Sequence, residues 1–527
     1  MMNEFMGEMA ERKSVQIPVV DRVLNAEVSG DYSLPDYQPE IKRLLRIGVN
    51  ILPPNRFAGA GGMELHGTLD YYVLYMGHDG GVYCAPLSTE YRMAAAPDEG
   101  DGSQAAIGEP MICLCDTSAE PPVGRVTAPR RLSIRCKLRA AVKLYGEHLL
   151  ESDDDEDDTV ERLMGEENVG RLYWALGDTL PLQDDVILPP TEGEWRVICA
   201  EGQVMMTEAI PTAGAVNCRG EVALKLMLCP AEATDSTTPP PISLMQRKIP
   251  FTQSIDMEGI TPACMATAHA SCTDISVQME EGHLHVDLGV VTEVRAQQNQ
   301  PIRYVRDLYS TRRGESCRYA TYPTESAVRA LNGNFTLSDS LPVEEAGVDP
   351  AARVVDVTAA AFPEALTTDT ERGRCILTGK CRCHLLLLKD GEYASADMEL
   401  PFRYEFEDQG LTEAGASERS FDGSVTVESC RARMDSERVG VDAELAVSLR
   451  THTPAPVTAL CEASFGDEVV RRRGEYVICF PAPTDTVWSV AKRYHAPMAA
   501  LTAANSIPLG AKVDASESLE GVGYLIV

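Results

Sequence analysis

Apolar and polar residues alternate along three segments of the chain, which is the pattern of a β-strand with one buried face. In the first segment every second residue from Leu132 to Leu144 is apolar, and most residues between them are Arg, Lys or Ser. The second segment begins at Leu284 and the third at Val439, which are 152 and then 155 residues further along. The alternation therefore predicts one long amphipathic strand that recurs three times.

Two further features recur at nearly the same distance. Leu-Pro pairs begin at residues 34, 188 and 341, and Gly-centred apolar stretches surround Gly67, Gly220 and Gly379. A distance of this length lets each copy bury its own core, so it indicates tandem domains instead of short stacked repeats. The residues between the predicted strands are rich in Pro, Gly, Asp and Thr, which favours turns as connections.

These recurrences predict a mainly β protein with three tandem β-rich, sandwich-like copies at residues 1–150, 159–308 and 322–465. The length of 527 residues agrees with three domains and a shorter tail. The acidic run 151–158 would repel itself inside a core, so we interpret it as a solvated hinge. The basic triplet 471–473 is interpreted as a linker to the tail.

The tail, residues 476–527, has the pattern of a small α+β module. Residues 484–486 carry side chains that can cap a helix, and Val487, Val490, Ala491 and Tyr494 then follow at helical spacing. A second, Pro-started helix is expected to end at Asn505, a residue that tolerates the left-handed backbone of a helix stop. With strands at 476–480 and 524–527, the prediction is a βααβ unit.

The tail resembles a LysM module. Residues 485–494, Asp-Thr-Val-Trp-Ser-Val-Ala-Lys-Arg-Tyr, are similar to the signature Asp-Thr-Leu-Trp-x-Ile-Ala-x-x-Tyr, and residues 501–507 resemble the Leu-x-x-x-Asn-x-Ile continuation. The family binds N-acetylglucosamine polymers in a groove between two loops, but Thr484 stands where a Gly usually precedes Asp-Thr. The resemblance implies partner-binding residues at Thr484, Asp485, Thr486, Val487, Trp488, Asn505, Ser506 and Ile507.

The three copies resemble the SPOCS domain. The resemblance lies in residues 34–41 (Leu-Pro-Asp-Tyr-Gln-Pro-Glu-Ile), in residues 249–256 with their Pro-Phe pair, and in Leu400-Pro401-Phe402. Copy one is expected to have Leu87-Ser88-Thr89 where the other copies have Pro-Phe, which makes it the most divergent. Tandem SPOCS domains before a LysM module resemble the SipL-like family of spore coat morphogenetic proteins.

This resemblance implies a non-enzymatic scaffold in the cytoplasm of the mother cell, at the forespore or spore coat surface. The LysM module would dock a SpoIVA-like coat ATPase, and the SPOCS copies would bind other coat proteins. The alternative is a LysM protein that binds the N-acetylglucosamine chains of peptidoglycan or cortex.

Composition narrows the classes of partner. A net charge of −33 argues against nucleic acid and anionic membranes, because both require a positive surface. Residues 1–13 lack the apolar core of a secretory signal, and no stretch has the roughly 18 to 20 apolar residues of a membrane helix. We therefore expect a cytoplasmic protein whose 16 cysteines are reduced.

Candidate chemistry is sparse. Cys113-x-Cys115, Cys381-x-Cys383 before His384, and the pair His283 and His285 could each contribute metal ligands, although packing or solvent exposure explains them better. Phosphate-binding loops, His-Glu-x-x-His and Gly-x-Ser-x-Gly are absent from the sequence. The expectation is a protein without catalytic residues, metal or cofactor.

Overall fold

The computed structural model describes residues 14–59, 61–97, 108–150, 157–188, 194–231, 241–280, 282–369, 371–407, 420–469, 477–505, 519 and 522–527. Within these residues the chain is mainly β, as predicted, with long antiparallel strands and two short helices. None of the helices in this described part is long and apolar enough to cross a membrane.

The first eight strands form two sheets around one core. They are β1 (Ser14–Ser33), β2 (Ile41–Ile51), β3 (Asn55–Gly59), β4 (Gly62–Gly77), β5 (Val82–Ala95), β6 (Gly108–Ala119), β7 (Val123–Ala128) and β8 (Arg131–Leu149). One sheet has the order β1-β8-β6 with β7 also on β8, and the other has the order β2-β4-β3 with β5 also on β4. The apolar residues of β8 from Leu132 to Leu144 are buried in this core, as their alternation predicted.

The next seven strands form a second pair of sheets. They are β9 (Val160–Leu176), β10 (Leu180–Ile187), β11 (Trp195–Thr212), β12 (Ala215–Pro230), β13 (Ser243–Asp256), β14 (Met265–Glu280) and β15 (His283–Ser310). The sheet β10-β15-β14, with β9 also on β15, faces the sheet β11-β12-β13. Leu284, Val286, Leu288 and Val290 of β15 pack in the shared core against Val222 and Leu224 of β12.

The next eight strands form the third group of sheets. They are β16 (Arg313–Tyr322), β17 (Glu325–Pro342), β18 (Arg353–Asp369), β19 (Arg374–Lys389), β20 (Glu392–Glu407), β21 (Ser420–Met434), β22 (Arg438–Pro454) and β23 (Val457–Glu468). The sheets are β17-β22-β21, β18-β19-β20 and the pair β16-β23. Val439, Val441 and Leu445 of β22 are buried in the core between the first two of these sheets.

We call these three groups units one, two and three. In each unit, strands from its two ends pair with each other, and three or four of the strands between them form the facing sheet. The Gly singled out from the sequence lies on the central strand of that facing sheet, directly opposite an aromatic residue. The register pairs are Gly67 with Tyr91, Gly220 with Phe251, and Gly379 with Phe402.

The aromatic ring explains why each of these positions is Gly. A Cβ atom on Gly220 would lie 2.8 Å from Cζ of Phe251 and 2.7 Å from the carbonyl oxygen of Met205, and Gly67 and Gly379 are covered by their opposite rings in the same way. Since carbon atoms pack at about 3.5–4.0 Å, a side chain at these positions would displace the ring or the neighbouring strand.

This register corrects one sequence expectation. The Pro-Phe pair lies opposite residues 220–221 in unit two and opposite residues 379–380 in unit three. The equivalent residues of unit one are 67–68, and they lie opposite Glu90-Tyr91. The assignment to Leu87-Ser88-Thr89 is wrong, because those residues pair with 69–71. Tyr91 provides the aromatic ring that Phe provides in the other units.

The three units meet at a shared apolar cluster. Leu74, Met227 and Leu386, each seven residues after its unit's central Gly, are buried in it together. A second cluster joins Val15 of unit one, Ile302 of unit two and Val457 of unit three. Because equivalent positions of all three units converge, the units are packed around a common centre.

Of the predicted hinge 151–158, only Asp157 and Asp158 belong to the described residues, and the triplet 471–473 lies outside them.

The tail contains β24 (Ile478–Cys479), α1 (Val487–Arg493), α2 (Met498–Ala504) and β25 (Leu525–Ile526). The two strands pair antiparallel, with Ile478 opposite Ile526 and Cys479 opposite Leu525. Both strands are shorter than the predicted 476–480 and 524–527. The expected left-handed stop at Asn505 is also wrong, because its φ angle is −106°.

Candidate protein-interaction site

The first helix of the tail begins with a reciprocal cap. Thr486 has an extended backbone, and its side-chain oxygen accepts a hydrogen bond of 3.1 Å from the Ser489 amide. In return, the amide of Thr486 donates to Oγ of Ser489 at 2.9 Å. Such a capping box satisfies amide groups that the first helical turn leaves without partners. Thr486 therefore has a structural role at the helix start, as the capping pattern predicted.

Asp485 holds the loop before this helix. Its side chain is buried, and its carboxylate accepts hydrogen bonds from the Arg493 guanidinium at 2.5 and 3.1 Å and from the Ala482 amide at 2.9 Å. The hydrogen bonds from Arg493 and Ala482 outweigh desolvation and lower the pKa of Asp485, so the carboxylate is charged at neutral pH. Asp485 thus links the loop to the last turn of α1.

Val487 belongs to the core of the tail. It is 2% exposed and packs in a cluster with Val490, Ala491, Leu501 and Leu525. The cluster joins both helices to the final strand, so it is what holds the module together. Val487 therefore offers no surface to a partner.

Trp488 fastens the tail to unit two. Its indole nitrogen donates a hydrogen bond of 2.8 Å to Oδ2 of Asp307, and its ring packs edge-on against Tyr309, with centroids 4.9 Å apart. Asp307 and Tyr309 lie near the end of β15. Trp488 is only 6% exposed, so this predicted partner-binding residue is occupied by the chain itself.

Asp307 is the centre of this contact. Its Oδ1 also accepts hydrogen bonds from Nζ of Lys492 at 2.5 Å and from the hydroxyl of Tyr319 at 2.6 Å. Burial would raise the pKa of Asp307, but the hydrogen bonds from Lys492, Tyr319 and Trp488 outweigh it, and the pKa lies below its ordinary value. The Leu308 amide also donates to Asp307, at 2.8 Å. A charged acceptor with these four donors is a strong local link between the tail and unit two.

More bonds extend this link beyond the first helix. The hydroxyl of Tyr309 donates to the carbonyl of Ala496 at 2.7 Å, and Nδ1 of His495 lies 2.8 Å from the carbonyl of Ser310. The amide of Met498 donates to Glu161 on β9 at 3.1 Å. One side of the tail is therefore buried against β9 and β15.

Asn505 connects the second helix to the final strand. Its amide nitrogen donates to the carbonyls of Leu501 and Ile526 at 2.8 and 2.7 Å, and its amide oxygen accepts from the Ile526 amide at 2.7 Å. These bonds use the side chain inside the module. Ser506 and Ile507, which the resemblance also assigned to the site, lie outside the described residues.

The residues predicted to bind a partner therefore differ in their exposure and contacts. Thr484 is exposed at the surface, whereas Asp485, Thr486, Val487, Trp488 and Asn505 cap, fill or fasten the module. Their assignment as partner-binding residues stays a prediction, and the described contacts give most of them an internal partner.

An exposed apolar face lies elsewhere on the tail. Ile478 is 60% exposed and Phe480 76%, and across the two-stranded sheet Tyr524 is 58% exposed. Cys479 and Leu525 point the other way into the core, so the three exposed residues share the outer face of the sheet. We call Ile478, Phe480 and Tyr524 the outer tail face.

Sequence reasoning overlooked this face. The run Val477-Ile478-Cys479-Phe480 is apolar at every position, whereas a strand with one solvated face alternates. The missing alternation could have revealed the outer tail face, because a strand that is apolar on both faces is expected to be covered on both. The structure covers only one of them.

The candidate metal ligands are engaged in other contacts. Cys381 and Cys383 are buried in the core of unit three, and His384 pairs with Asp397 at 2.6 Å. His285 lies 2.7 Å from Asp185, and His283 lies 3.0 Å from Glu280. Among the residues that the structure describes, no group of three or more His, Cys, Asp or Glu side chains is placed to hold a metal ion.

Cys113 and Cys115 lie at the boundary between units one and two. Both are buried, and their carbonyls accept hydrogen bonds from Arg56 at 2.9 Å and from Arg295 at 3.1 Å. The two guanidinium groups share the carboxylate of Glu293, with Arg295 at 2.8 Å. This region is a buried ionic contact between two units.

Comparison with known proteins identifies one segment. Residues 196–280 match the family model described as SipL, SPOCS domain. The match covers β11 to β14 of unit two, including Gly220 and the Pro-Phe pair at 250–251. This part of the chain is similar to the SPOCS domain of SipL, as the sequence resemblance predicted. No curated protein and no solved structure matches the chain.

Proposed function

We propose that this chain is a SipL-like, non-enzymatic scaffold of spore coat assembly, in which the tail docks a SpoIVA-like coat ATPase and the three units bind other coat proteins. It would act in the cytoplasm of the mother cell, at the forespore surface. The observation that carries the proposal is the match of residues 196–280 to the SipL SPOCS domain. That family is a non-catalytic sporulation family.

We extend the SPOCS assignment from unit two to units one and three. All three have a central-strand Gly beneath an aromatic ring. In unit two the matched segment covers the facing sheet and the strand after it, and units one and three also have a facing sheet followed by a strand of the other sheet. These shared constraints support a common origin for the three units.

The packing of the units supports a role in presenting partners at fixed positions. Leu74, Met227 and Leu386 share one buried cluster, so each unit is held by both of the others. Interiors packed in this way resist continuous deformation. Coat proteins bound on the outer faces of different units would therefore be held at set distances.

We assign the docking of the ATPase to the outer tail face. An aliphatic residue and two aromatic residues lie exposed together there, and aromatic anchors contribute much of the energy of protein interfaces. Trp488, in contrast, is buried against Asp307 of unit two. The outer tail face is exposed and therefore open to a partner.

A pull-down of the full-length chain with the SpoIVA-like ATPase tests this assignment. The double variant Ile478→Glu and Phe480→Glu should weaken the complex at least about tenfold, which is 1.4 kcal/mol. The matched control is Ile187→Glu, a change at an exposed residue of unit two, and it should leave binding intact. Normal binding by the double variant would reject the docking face.

The same protein tests the glycan alternative. We expect the full-length chain to stay in the supernatant when insoluble peptidoglycan is sedimented, because Trp488 and Asn505 of the predicted groove have internal partners. Sedimentation that N-acetylglucosamine oligomers compete away would overturn the scaffold proposal for the tail.

A further inference from the structure

Two cysteines from different units face each other at the centre of the molecule. Cys84 lies on β5 of unit one and Cys199 on β11 of unit two, and their sulfur atoms are 3.3 Å apart although the residues are 115 positions apart in sequence. A disulfide requires about 2.05 Å between sulfurs. The two thiols are therefore one small side-chain movement from bonding distance.

Close cysteines also occur within unit three, where Cys383 is hydrogen-bonded to Cys430 of β21 and lies near Cys381. Cys381 and Cys383 have sulfurs 3.8 Å apart, but they are neighbours on the same face of one strand. Their separation follows from the two-residue repeat of an extended strand. A disulfide between them would link two residues of the same strand and would not connect separate parts of the fold. A bond between Cys383 and Cys430 would also stay within unit three, so of these pairs only Cys84 and Cys199 would connect two units.

A buried cluster of charges surrounds Cys199. Arg46 of unit one pairs with Glu201 of unit two and lies 3.7 Å from Asp356 of unit three. Lys225 of unit two pairs with the same Asp356. The cluster thus takes side chains from all three units. It places the cations Arg46 and Lys225 near the Cys199 sulfur, together with the carboxylates of Asp356 and of Glu201, which lies 3.6 Å from that sulfur.

The hydrogen bond from Cys84 favours a thiolate on Cys199. The thiol of Cys84 donates to the Cys199 sulfur, and Arg46 and Lys225 add positive charge, so the pKa of Cys199 lies below its ordinary value despite burial. The hydrogen bond to Cys199 and burial raise the pKa of Cys84. The Cys199 sulfur is thus suited to act as the nucleophile, and the Cys84 thiol is suited to act as the proton donor.

We propose that Cys84 and Cys199 form a reversible disulfide that locks unit one to unit two, with a low-molecular-weight disulfide as the oxidant. The Cys199 thiolate attacks one sulfur of the oxidant, which forms a mixed disulfide and releases one thiolate. Cys84 then loses its proton to that thiolate and attacks the Cys199 sulfur, which releases the second thiolate. The second thiolate takes up from water the proton that Cys199 released when it ionised. In total the oxidant gains two electrons and the protein loses two thiol hydrogens.

The surroundings allow this exchange. Cys84 is partly exposed, whereas Cys199 is buried, so a small oxidant has to enter beside Cys84 to reach the Cys199 sulfur, which lies 3.3 Å further on. A neutral oxidant is suitable because the chain has a net charge of −33, which repels anionic disulfides. The bond would close a loop of more than 100 residues and restrict the unfolded chain.

The experiment exposes the native full-length protein to bis(2-hydroxyethyl) disulfide. After the oxidant is removed, free thiols are counted in denaturant and peptides are mapped without reduction. We expect 14 free thiols instead of the 16 of the untreated chain, because one bond consumes two thiols. We also expect a linked peptide pair carrying Cys84 and Cys199, and an unfolding temperature that rises and is restored by dithiothreitol.

Two variants make the result specific. Cys84→Ser should stop at a mixed disulfide on Cys199 and should not gain thermal stability. Cys381→Ser removes a thiol from one of the close pairs in unit three, and it should still form the bond between Cys84 and Cys199. The proposal is overturned if treated native protein contains no peptide linking Cys84 to Cys199, or if its links join other cysteines at equal yield.

Discussion

The indole of Trp488 donates a hydrogen bond of 2.8 Å to Asp307, which lies 181 residues earlier in the chain. The resemblance to LysM modules placed Trp488 in a partner-binding groove, but the residue fastens the tail to unit two. The side of the tail that carries Trp488 is consequently unavailable to a partner while this contact holds. Ile478, Phe480 and Tyr524 of the outer tail face stay exposed.

Replacing Asp307 should loosen the tail. Asp307→Ala removes the acceptor of Trp488, Lys492 and Tyr319, and a buried donor without a partner costs about 1–3 kcal/mol. We expect faster hydrogen exchange in residues 487–493, measured by mass spectrometry on the full-length protein. The control is Asp36→Ala, whose side chain is fully exposed. Equal exchange in both variants would contradict the proposed link.

A charge in the tail core should unfold the module. Val487→Asp places a carboxylate in a site that is 2% exposed, where an unpaired charge destabilises by about 3 kcal/mol or more. The same change at Val123, which is 70% exposed, should have little effect. Hydrogen exchange of residues 498–505 distinguishes the two, and a protected second helix in Val487→Asp would show that the core assignment is wrong.

Gly220 should not tolerate a methyl group. In Gly220→Ala the new Cβ would meet a backbone carbonyl and the Phe251 ring below 3 Å, and overpacking of this kind costs about 1–3 kcal/mol. Gly314 is a matched control, since a Cβ there meets no atom within 4 Å. Chemical unfolding should show a clear loss for Gly220→Ala and almost none for Gly314→Ala. Similar curves would contradict the role of the ring.

Stability should fall in acid because of Glu293. Burial opposes its ionisation, but Arg295 and Arg56 outweigh burial and lower its pKa from 4.5 to about 2. At 1.36 kcal/mol per pH unit, this ionic contact stabilises the folded state by about 3 kcal/mol. The pKa is depressed in the folded state, so the contribution is complete above about pH 4.5 and is lost as the pH falls toward 2.

The variant Glu293→Gln isolates this effect. It should be less stable than the unmodified chain at pH 7, and the difference in unfolding free energy should shrink as the pH falls to about 2.5. Urea unfolding at both pH values measures it. A difference that stays constant with pH would show that the Glu293 charge does not link the two units.

Several features could be predicted because they depend on neighbouring residues. The alternation from Leu132 to Leu144 identifies a half-buried strand, and the cap at Thr486 depends on a residue only three positions away. The position of Tyr91 opposite Gly67 could not be read in this way. Strand register depends on which residues pair across a turn, and spacing along the sequence does not fix this pairing. The sequence comparison of unit one with the other units was therefore shifted by a few residues, to 87–89 instead of Glu90-Tyr91.

The sequence by itself determined that the chain is mainly β, that its apolar strands recur at about 150 residues, and that one segment is similar to a SPOCS domain. These properties follow from local periodicity and from residue identity. Only the tertiary structure decided that Cys84 meets Cys199, that Trp488 meets Asp307, and that three units share a cluster. Such contacts join residues more than 100 positions apart, so no local pattern specifies them.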